Sequence, residues 1–507
     1  MSVASKLDLR AWAQSDPGRL ALRCNGADTS YAELEALANQ AAHVLRGRGI
    51  ARGDHLAAVL GNDVMIFALV WAAYRVGAYI TPIPSASSVE DAAYVVADSG
   101  ARLVVVNAAL GAAMARLPQA VPGEVAWLSV RGELPGFTPL EPLLRQSPAT
   151  PVADESSGAL MMYTSGTTGK PKGVWRALPE QVTATPGFAA DLVTMFDVSA
   201  GSRYLSTAPL YHAAPLRFGL AFLAAGGSVI VMAKFDAAQA LELLEREGIT
   251  HSQWVPTMFN RLLALPEERR RAFHAPAHRL ALHSAAPCPP ALKRAMIEWW
   301  GPILEEYYSG SEGVGLTAIA SEEWLRHPGS VGRARKGTIH VLDEDDQELP
   351  AGSTGRIFFS GVAPFHYRHA ADKTAARTSR QGWQTFGDVG HVDTEGYLFL
   401  TDRLDDMIIS GGVNIYPQEL EAALAECPQL AEAAVIGAPD PDFGERPVAF
   451  VVPRQPVGDR AAFVAELAAW CRDRLGKIKE PKEIRLVETL PYSPQGKLLR
   501  RELRKLL

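Results

Sequence analysis

The sequence predicts an α/β protein of more than one domain, and three observations carry that reading. The chain has 507 residues, more than a single hydrophobic core normally organises. From Leu7 to His283, apolar strand-like runs alternate with helical stretches, the rhythm of largely parallel sheets covered by helices. At Gly337 the pattern changes to short strands with Gly and Asp turns, and after Asp402 to a mixed tail. The expected architecture is a large N-terminal domain of layered α/β sheets with a small β-rich subdomain, residues 1–402, and a small α+β C-terminal domain, residues 403–507.

In chain order, Leu7–Ala51 reads as helix with a strand and turn near Arg23–Tyr31. Thr29 or Ser30 is placed to cap the helix Tyr31–Arg46. His55–Leu60, Ala78–Ile83, Leu103–Val106 and Val125–Val130 read as strands. The longest apolar run, Met65–Tyr74, lies between Asp63 and Arg75; it is too short to span a bilayer and is read as a buried helix. Pro135–Glu155, rich in proline and polar residues, reads as a linker, and Ala159–Tyr163 as a buried strand. Strands resume at Tyr204–Ala208, Ser228–Met232, His251–Val255 and Arg279–His283, then in the β-rich stretch at Thr338–Leu342, Gly355–Phe359 and Tyr397–Leu400. The tail predicts a buried strand at Met407–Ile409 and helices near Pro417–Cys427, Ala461–Leu475 and Lys497–Leu507.

Composition narrows the function. A net charge of −6 argues against a surface for nucleic acid. Cys24, Cys288, Cys427 and Cys471 are far apart, with no C-x-x-C pair. That pattern fits a reducing cytoplasm and neither a disulfide framework nor a zinc site. Met1–Arg10 lacks the apolar core of a signal peptide, so a cytoplasmic protein without a membrane span is expected.

The chemistry centres on Tyr163–Gly173, Y-T-S-G-T-T-G-K-P-K-G. Glycines let backbone N–H groups approach a ligand, hydroxyls add donors and lysines add charge, which suits the oxygens of a phosphate chain. It is not a Walker A loop: only two residues separate Gly166 from Gly169, and Pro171 follows Lys170. Further on come E-E-Y-Y-S-G-S-E-G at Glu305–Gly313, H-S-A-A-P-C-P-P at His283–Pro290 and Q-T-F-G-D-V-G at Gln384–Gly390. The last two strings are T-D-R-L-D-D-M-I-I-S-G-G-V-N-I-Y-P-Q-E-L-E at Thr401–Glu421 and P-Y-S-P-Q-G-K at Pro491–Lys497.

In this order, the strings resemble the motifs of the ANL adenylating enzymes: acyl- and aryl-CoA ligases, peptide-synthetase adenylation domains and luciferases. The resemblance implies that Thr164, Ser165, Gly166, Thr167, Thr168, Gly169, Lys170 and Lys172 hold ATP phosphates. It also implies that Tyr308 stacks on adenine, Ser311 bonds the α-phosphate and Glu312 helps hold Mg²⁺. Ala285, Ala286 and Pro287 would border the adenine. Asp388 would accept from the ribose hydroxyls, Arg403 would reach ribose and phosphates, Asp405 would be a hinge and Lys497 the catalytic lysine. Three positions depart from the pattern. Ser309 stands where the family usually has Gly and could narrow the acyl pocket floor, Ser311 replaces Thr, and Phe386 separates Thr385 from Gly387.

By the same resemblance His212, in L-Y-H-A-A-P-L-R-F, lines the acyl site and is a candidate catalytic residue, with Ala214, Ser309 and Gly310 in the pocket. Between Pro209 and Phe218 there is no acidic residue to pair with an α-ammonium, which implies an acid without an α-amino group. Ser410, Gly411, Gly412, Phe443, Lys479 and Lys482 would contact CoA, although Glu480 sits where some relatives carry a basic residue. The implied activity is ATP- and Mg²⁺-dependent ligation of a fatty, aryl or alicyclic acid to CoA through acyl-AMP. The smaller domain would be mobile and turn about Asp405 between half-reactions. With no carrier domain after Leu507, free CoA is the expected acceptor and a separate carrier protein the alternative.

Overall fold

The computed structural model describes residues 7–164, 170–180, 182, 185–403, 406–410, 413–492 and 498–507, with the backbone alone at 403, 414 and 476–478. Two large sheets make up the N-terminal part. The first has six parallel strands in the order Thr138–Pro139, Ala126–Val130, Ala101–Asn107, His55–Val59, Tyr79–Pro82, Ala159–Leu160. The second has nine: Arg333–Lys336, Leu316–Ala320, Leu304–Tyr308, Leu280–His283, His251–Trp254, Arg203–Ser206, Ser228–Val231, Leu20–Cys24, Ala27–Ser30. Its five central neighbours from Leu304–Tyr308 to Ser228–Val231 pair in parallel. Such strands are buried on both faces, which is why they read as unbroken apolar runs.

The largest core lies between these sheets. It contains the helix Val64–Val76, buried at every residue after Val64, and the apolar helix Ala213–Ala224. They meet at Gly219, where a Cβ would stand 2.7 Å from the Phe67 ring, so only glycine admits this approach. Ser30 is the N-cap of Tyr31–Gly47 in a reciprocal capping box with Glu33.

A four-stranded antiparallel sheet follows: Thr338–Leu342, Gly355–Ser360, Asp388–Val392 and Leu398–Arg403. The next sheet begins at Ile408–Ser410 and continues through Val413–Ile415, Leu430–Asp440, Gly444–Pro453 and Glu483–Leu486. Helices Pro417–Ala425 and Arg460–Lys479 cover it around a separate core. The architecture is thus a large α/β N-terminal domain with mixed sheets and a smaller α+β C-terminal domain.

Several expected elements change. Pro135–Glu155 is not only linker: Leu140–Gln146 is helical, and Pro142 is tolerated because first-turn N–H groups need no intrahelical partner. Ala159–Tyr163 divides between sheets, Ala159–Leu160 joining the parallel sheet and Tyr163–Thr164 a hairpin. The final helix is only Arg500–Arg504. No helix among the described residues is long and apolar enough to cross a membrane.

Candidate active site

The two described ends of the phosphate-loop sequence pair as a hairpin. Tyr163–Thr164 pairs antiparallel with Lys172–Trp175, setting Thr164 opposite Lys172 and Tyr163 opposite Gly173. A Cβ on Gly173 would lie 3.0 Å from the Tyr163 ring, and the Tyr163 hydroxyl donates to Asp98 at 2.6 Å. The loop is therefore closed at its base. Ser165, Gly166, Thr167, Thr168 and Gly169 lie outside the described residues. Lys170 places its ammonium 4.7 Å over Tyr94, and Lys172 lies 5.4 Å from the Tyr367 ring. Both lysines, with Arg368 and Lys373, line a cavity of about 310 Å³ whose carboxylates among the described residues are Asp98 and Asp372. The excess of positive charge suits phosphate oxygens.

Next to it stands the turn after the strand Leu304–Tyr308. Gly310 has no room for a side chain: a Cβ would meet Phe386 at 2.5 Å and Glu312 Oε2 at 2.9 Å. The Ser309 hydroxyl donates to the Gly315 carbonyl at 2.8 Å, so it braces the turn. Arg176 closes the other side, donating to the carbonyls of Glu312 at 2.6 Å, Ala363 at 3.2 Å and Gly313 at 3.3 Å. The Glu312 carboxylate accepts from the Tyr367 hydroxyl at 2.7 Å. Tyr367 lies on the two-residue strand His366–Tyr367, paired with Lys172–Trp175. One sheet thus links the phosphate hairpin to Glu312. Neither Tyr367 nor Arg176 is singled out by the sequence motifs, because each acts from a different segment of the chain.

The Tyr308 hydroxyl donates to Asp388 at 2.5 Å. Asp388 opens a strand, and the register sets it opposite Arg403, of which only the backbone is described. Phe386 does not displace Asp388. Its ring packs edge-on against Tyr308 with centroids 5.3 Å apart, and the Gly387 N–H returns to the Thr385 hydroxyl at 2.8 Å. Ala285 has a left-handed backbone, φ +76°, at the start of the segment continuing through Ala286 and Pro287. Ser311 is partly accessible in the same turn as Glu312.

His212 is the N-cap residue of the helix Ala213–Ala224, edge-on to Tyr211 at 4.2 Å. Burial pulls its pKa down to about 3, so it is a neutral imidazole at physiological pH. Ala214 lies on the first turn of that helix, partly accessible.

On the C-terminal side, Ser410 is buried in its strand with Gly444 as cross-strand partner, and Phe443 is 57% exposed. Lys479 is held by both oxygens of Glu419, at 2.7 and 2.8 Å. Lys482 lies 3.7 Å from Glu480, which also takes Arg472 at 2.5 Å. Asp405, Gly411, Gly412 and Lys497 lie outside the described residues.

A phosphate hairpin closed at its base, the Glu312 carboxylate linked to it through Tyr367, and an Asp388–Tyr308 pair at two strand ends fit a nucleotide-activating enzyme of two-domain form. The AMP-binding enzyme model matches residues 9–366, and the AMP-binding enzyme C-terminal domain model residues 419–497. The chain is similar to a long-chain-fatty-acid–CoA ligase, FadD13, of Mycobacterium tuberculosis: 32% identical, over 94% of this chain and 92% of that one. It is 30% identical to a fatty acid–[acyl-carrier-protein] ligase, ScoC, of Streptomyces coeruleorubidus, over 97% and 94%. ATP-bound MatB from Rhodopseudomonas palustris superposes with a TM-score of 0.84 at 29% identity, over 99% of both chains. The chain belongs to the AMP-binding enzyme family, within the ANL superfamily of adenylate-forming enzymes and of the acyl/aryl-CoA synthetase type. It is an AMP-forming acid–thiol ligase.

Proposed function

We propose that this protein ligates a fatty, aryl or alicyclic carboxylic acid to coenzyme A through an acyl-adenylate. The observation that carries this reading is the Lys172–Tyr367–Glu312 linkage, which joins a basic phosphate hairpin to one carboxylate. Among the described residues no cluster of three or more His, Cys, Asp or Glu side chains is placed to cage a metal. The Glu312 carboxylate beside phosphate-binding groups fits Mg²⁺, which is commonly bound by one or two carboxylates together with substrate phosphates. Bound there through Glu312, Mg²⁺ supplies charge neutralisation.

In the first half-reaction a carboxylate oxygen bonds to the α-phosphorus of ATP, and the bond to the bridging oxygen breaks, releasing pyrophosphate. The barrier is the meeting of two anions, so positioning and positive charge dominate. Lys170, Lys172 and the residues 164–169 hold the phosphates; Tyr308, Asp388, Arg403, Ser311 and Ala285–Pro287 hold the nucleoside and α-phosphate. Lys497 neutralises the approaching carboxylate. In the second half-reaction the thiol sulfur attacks the acyl carbon, its proton passes to solvent, and the carbon–oxygen bond to AMP breaks. We assign the domain boundary near 402/403 with Asp405 as hinge, so that residues 403–507 turn between the steps. Ser410, Gly411, Gly412, Phe443, Lys479 and Lys482 then face CoA.

A second reading is transfer to a separate carrier protein. Lys479 is paired with Glu419 and Lys482 lies near Glu480, which lowers the attraction for a CoA phosphate, and ScoC is named for a carrier acceptor. Acid-dependent ATP–pyrophosphate exchange tests the adenylation step. Thioester formation with free CoA separates the two acceptors: rapid exchange with no CoA thioester sinks the leading reading in favour of the carrier.

A further inference from the structure

Several buried cations in this protein have side-chain partners. Arg75 pairs with Glu35 and Asn39, Lys293 with Glu306, and Arg500 with Glu421 and Asp406. Arg217 is different. It sits on the helix Ala213–Ala224, one turn beyond Ala214 and so on the same face. Its Nε is buried with no partner, and one terminal nitrogen makes a long contact, 3.4 Å, to the Ser311 carbonyl. It forms no ion pair among the described residues. Its remaining neighbour of note is the Phe188 ring, 5.6 Å away.

The contrast with Arg176 is informative. Both arginines lie near Glu312, and each has its charge disfavoured by burial. Arg176 turns one terminal nitrogen to three backbone carbonyls, although its Nε too is buried without a partner. Arg217 has almost all of its five donors left over, and an unmet buried guanidinium is costly. Two cations and one carboxylate leave this interior short of negative charge. The Arg217 side chain keeps some accessible surface. Tyr74, Phe188, Tyr307 and the turn at Ser311 lie around it.

We propose that Arg217 selects the acid by binding a second carboxylate on it, so that the substrate is a dicarboxylic acid activated at one end and held at the other. This deepens the acid–thiol ligase reading and rests on it. A guanidinium fork matches a carboxylate in two parallel hydrogen bonds. An unsubstituted aliphatic tail in the same space would leave the cation unmet.

The test uses the full-length protein in pyrophosphate exchange with matched acids: adipate against hexanoate, and the three benzene dicarboxylates against benzoate. The expected result is a higher kcat/KM for at least one diacid than for its monoacid. R217M should lower kcat/KM for that diacid by about 10²-fold, the scale for removing one partner of a buried charge pair, and leave the matched monoacid unchanged or improved. R217K should recover part of the loss. Preference of the wild type for the monoacid in every pair overturns the proposal and leaves the ligase reading standing. Equal loss on diacid and monoacid also overturns it, because Arg217 would then serve the reacting carboxylate or the nucleotide. Absence of exchange with every acid overturns both. If R217M does not fold, as read from its melting temperature, the wild-type panel and R217K decide.

Discussion

The hydroxyl of Tyr367 donates to Oε1 of Glu312 at 2.7 Å, across 55 residues of chain. The same ring receives Lys172 from the phosphate hairpin. Tyr367 therefore sets where the proposed metal-binding carboxylate points relative to the phosphate loop. Tyr367→Phe removes a hydrogen bond to a charged group, and its effect on pyrophosphate exchange should be a loss of about 10-fold, eased by raised Mg²⁺. Glu312→Gln should lose more and should not be rescued by magnesium. Identical magnesium titrations for wild type and both variants would remove Glu312 from this role.

Tyr367 also illustrates what the sequence could and could not disclose. The parallel strands were legible because burial on both faces leaves a continuous apolar run, as in Leu103–Val106. The ligand-facing strings were legible because glycine, hydroxyl and charge cluster within a few residues. Tyr367 carries no such local signal: it sits on a two-residue strand, and its role comes from pairing with Lys172–Trp175. Arg176 and Arg217 are silent for a similar reason, since a lone arginine reads as a solvated charge until its surroundings are known. The helix Leu140–Gln146 was hidden by Pro142, whose disruptive effect vanishes in a first turn. The strand that Asp388 opens carries no local signal either, since it is defined by the distant partner Leu398–Arg403.

Ala285 adopts φ +76° in the segment proposed to border the adenine. A Cβ in the left-handed region costs roughly 1–2 kcal/mol, partly offset by the greater unfolded freedom of glycine. Ala285→Gly should therefore stabilise the protein by about 1 kcal/mol without weakening ATP binding. Chemical denaturation measures the first and equilibrium titration the second. Destabilisation would mean that the alanine methyl makes contacts worth more than the backbone strain.

Burial depresses the pKa of five histidines: His212 and His278 to about 3, His55 and His251 to about 4, and His283 well below its usual value. In the unfolded chain each titrates near 6.5. Between about pH 6.5 and 4 the unfolded state thus binds more protons, and stability falls as pH falls, by about 1.4 kcal/mol per pH unit for each histidine while it is fully protonated only when unfolded. Glu305, Glu306 and Glu421, whose carboxyls burial raises, oppose this trend near the bottom of that window. The melting temperature should hold above pH 7 and drop on acidification below about 6.5. A flat profile from pH 7 to 5 would contradict the buried neutral histidines.

The sharpest separation of the two half-reactions is expected from Lys497. It follows the sequence Pro494-Gln495-Gly496, more than 300 residues after the phosphate hairpin, so only closure of the two domains would bring an ammonium to the α-phosphate. There it would offset the repulsion between the entering carboxylate and the phosphate chain. Removing one preorganised donor of this kind costs roughly 10²–10³ in rate. Lys497→Ala should slow acyl-AMP formation by at least about that factor. Transfer from a preformed acyl-AMP to CoA would, on the proposed alternation, use the other orientation and should keep most of its rate. If Lys497 is instead a solvated residue ahead of the last helix, neither half-reaction changes. Parallel loss of both, on a variant with an unaltered melting temperature, would assign the lysine to binding common to the two steps and not to the adenylation chemistry.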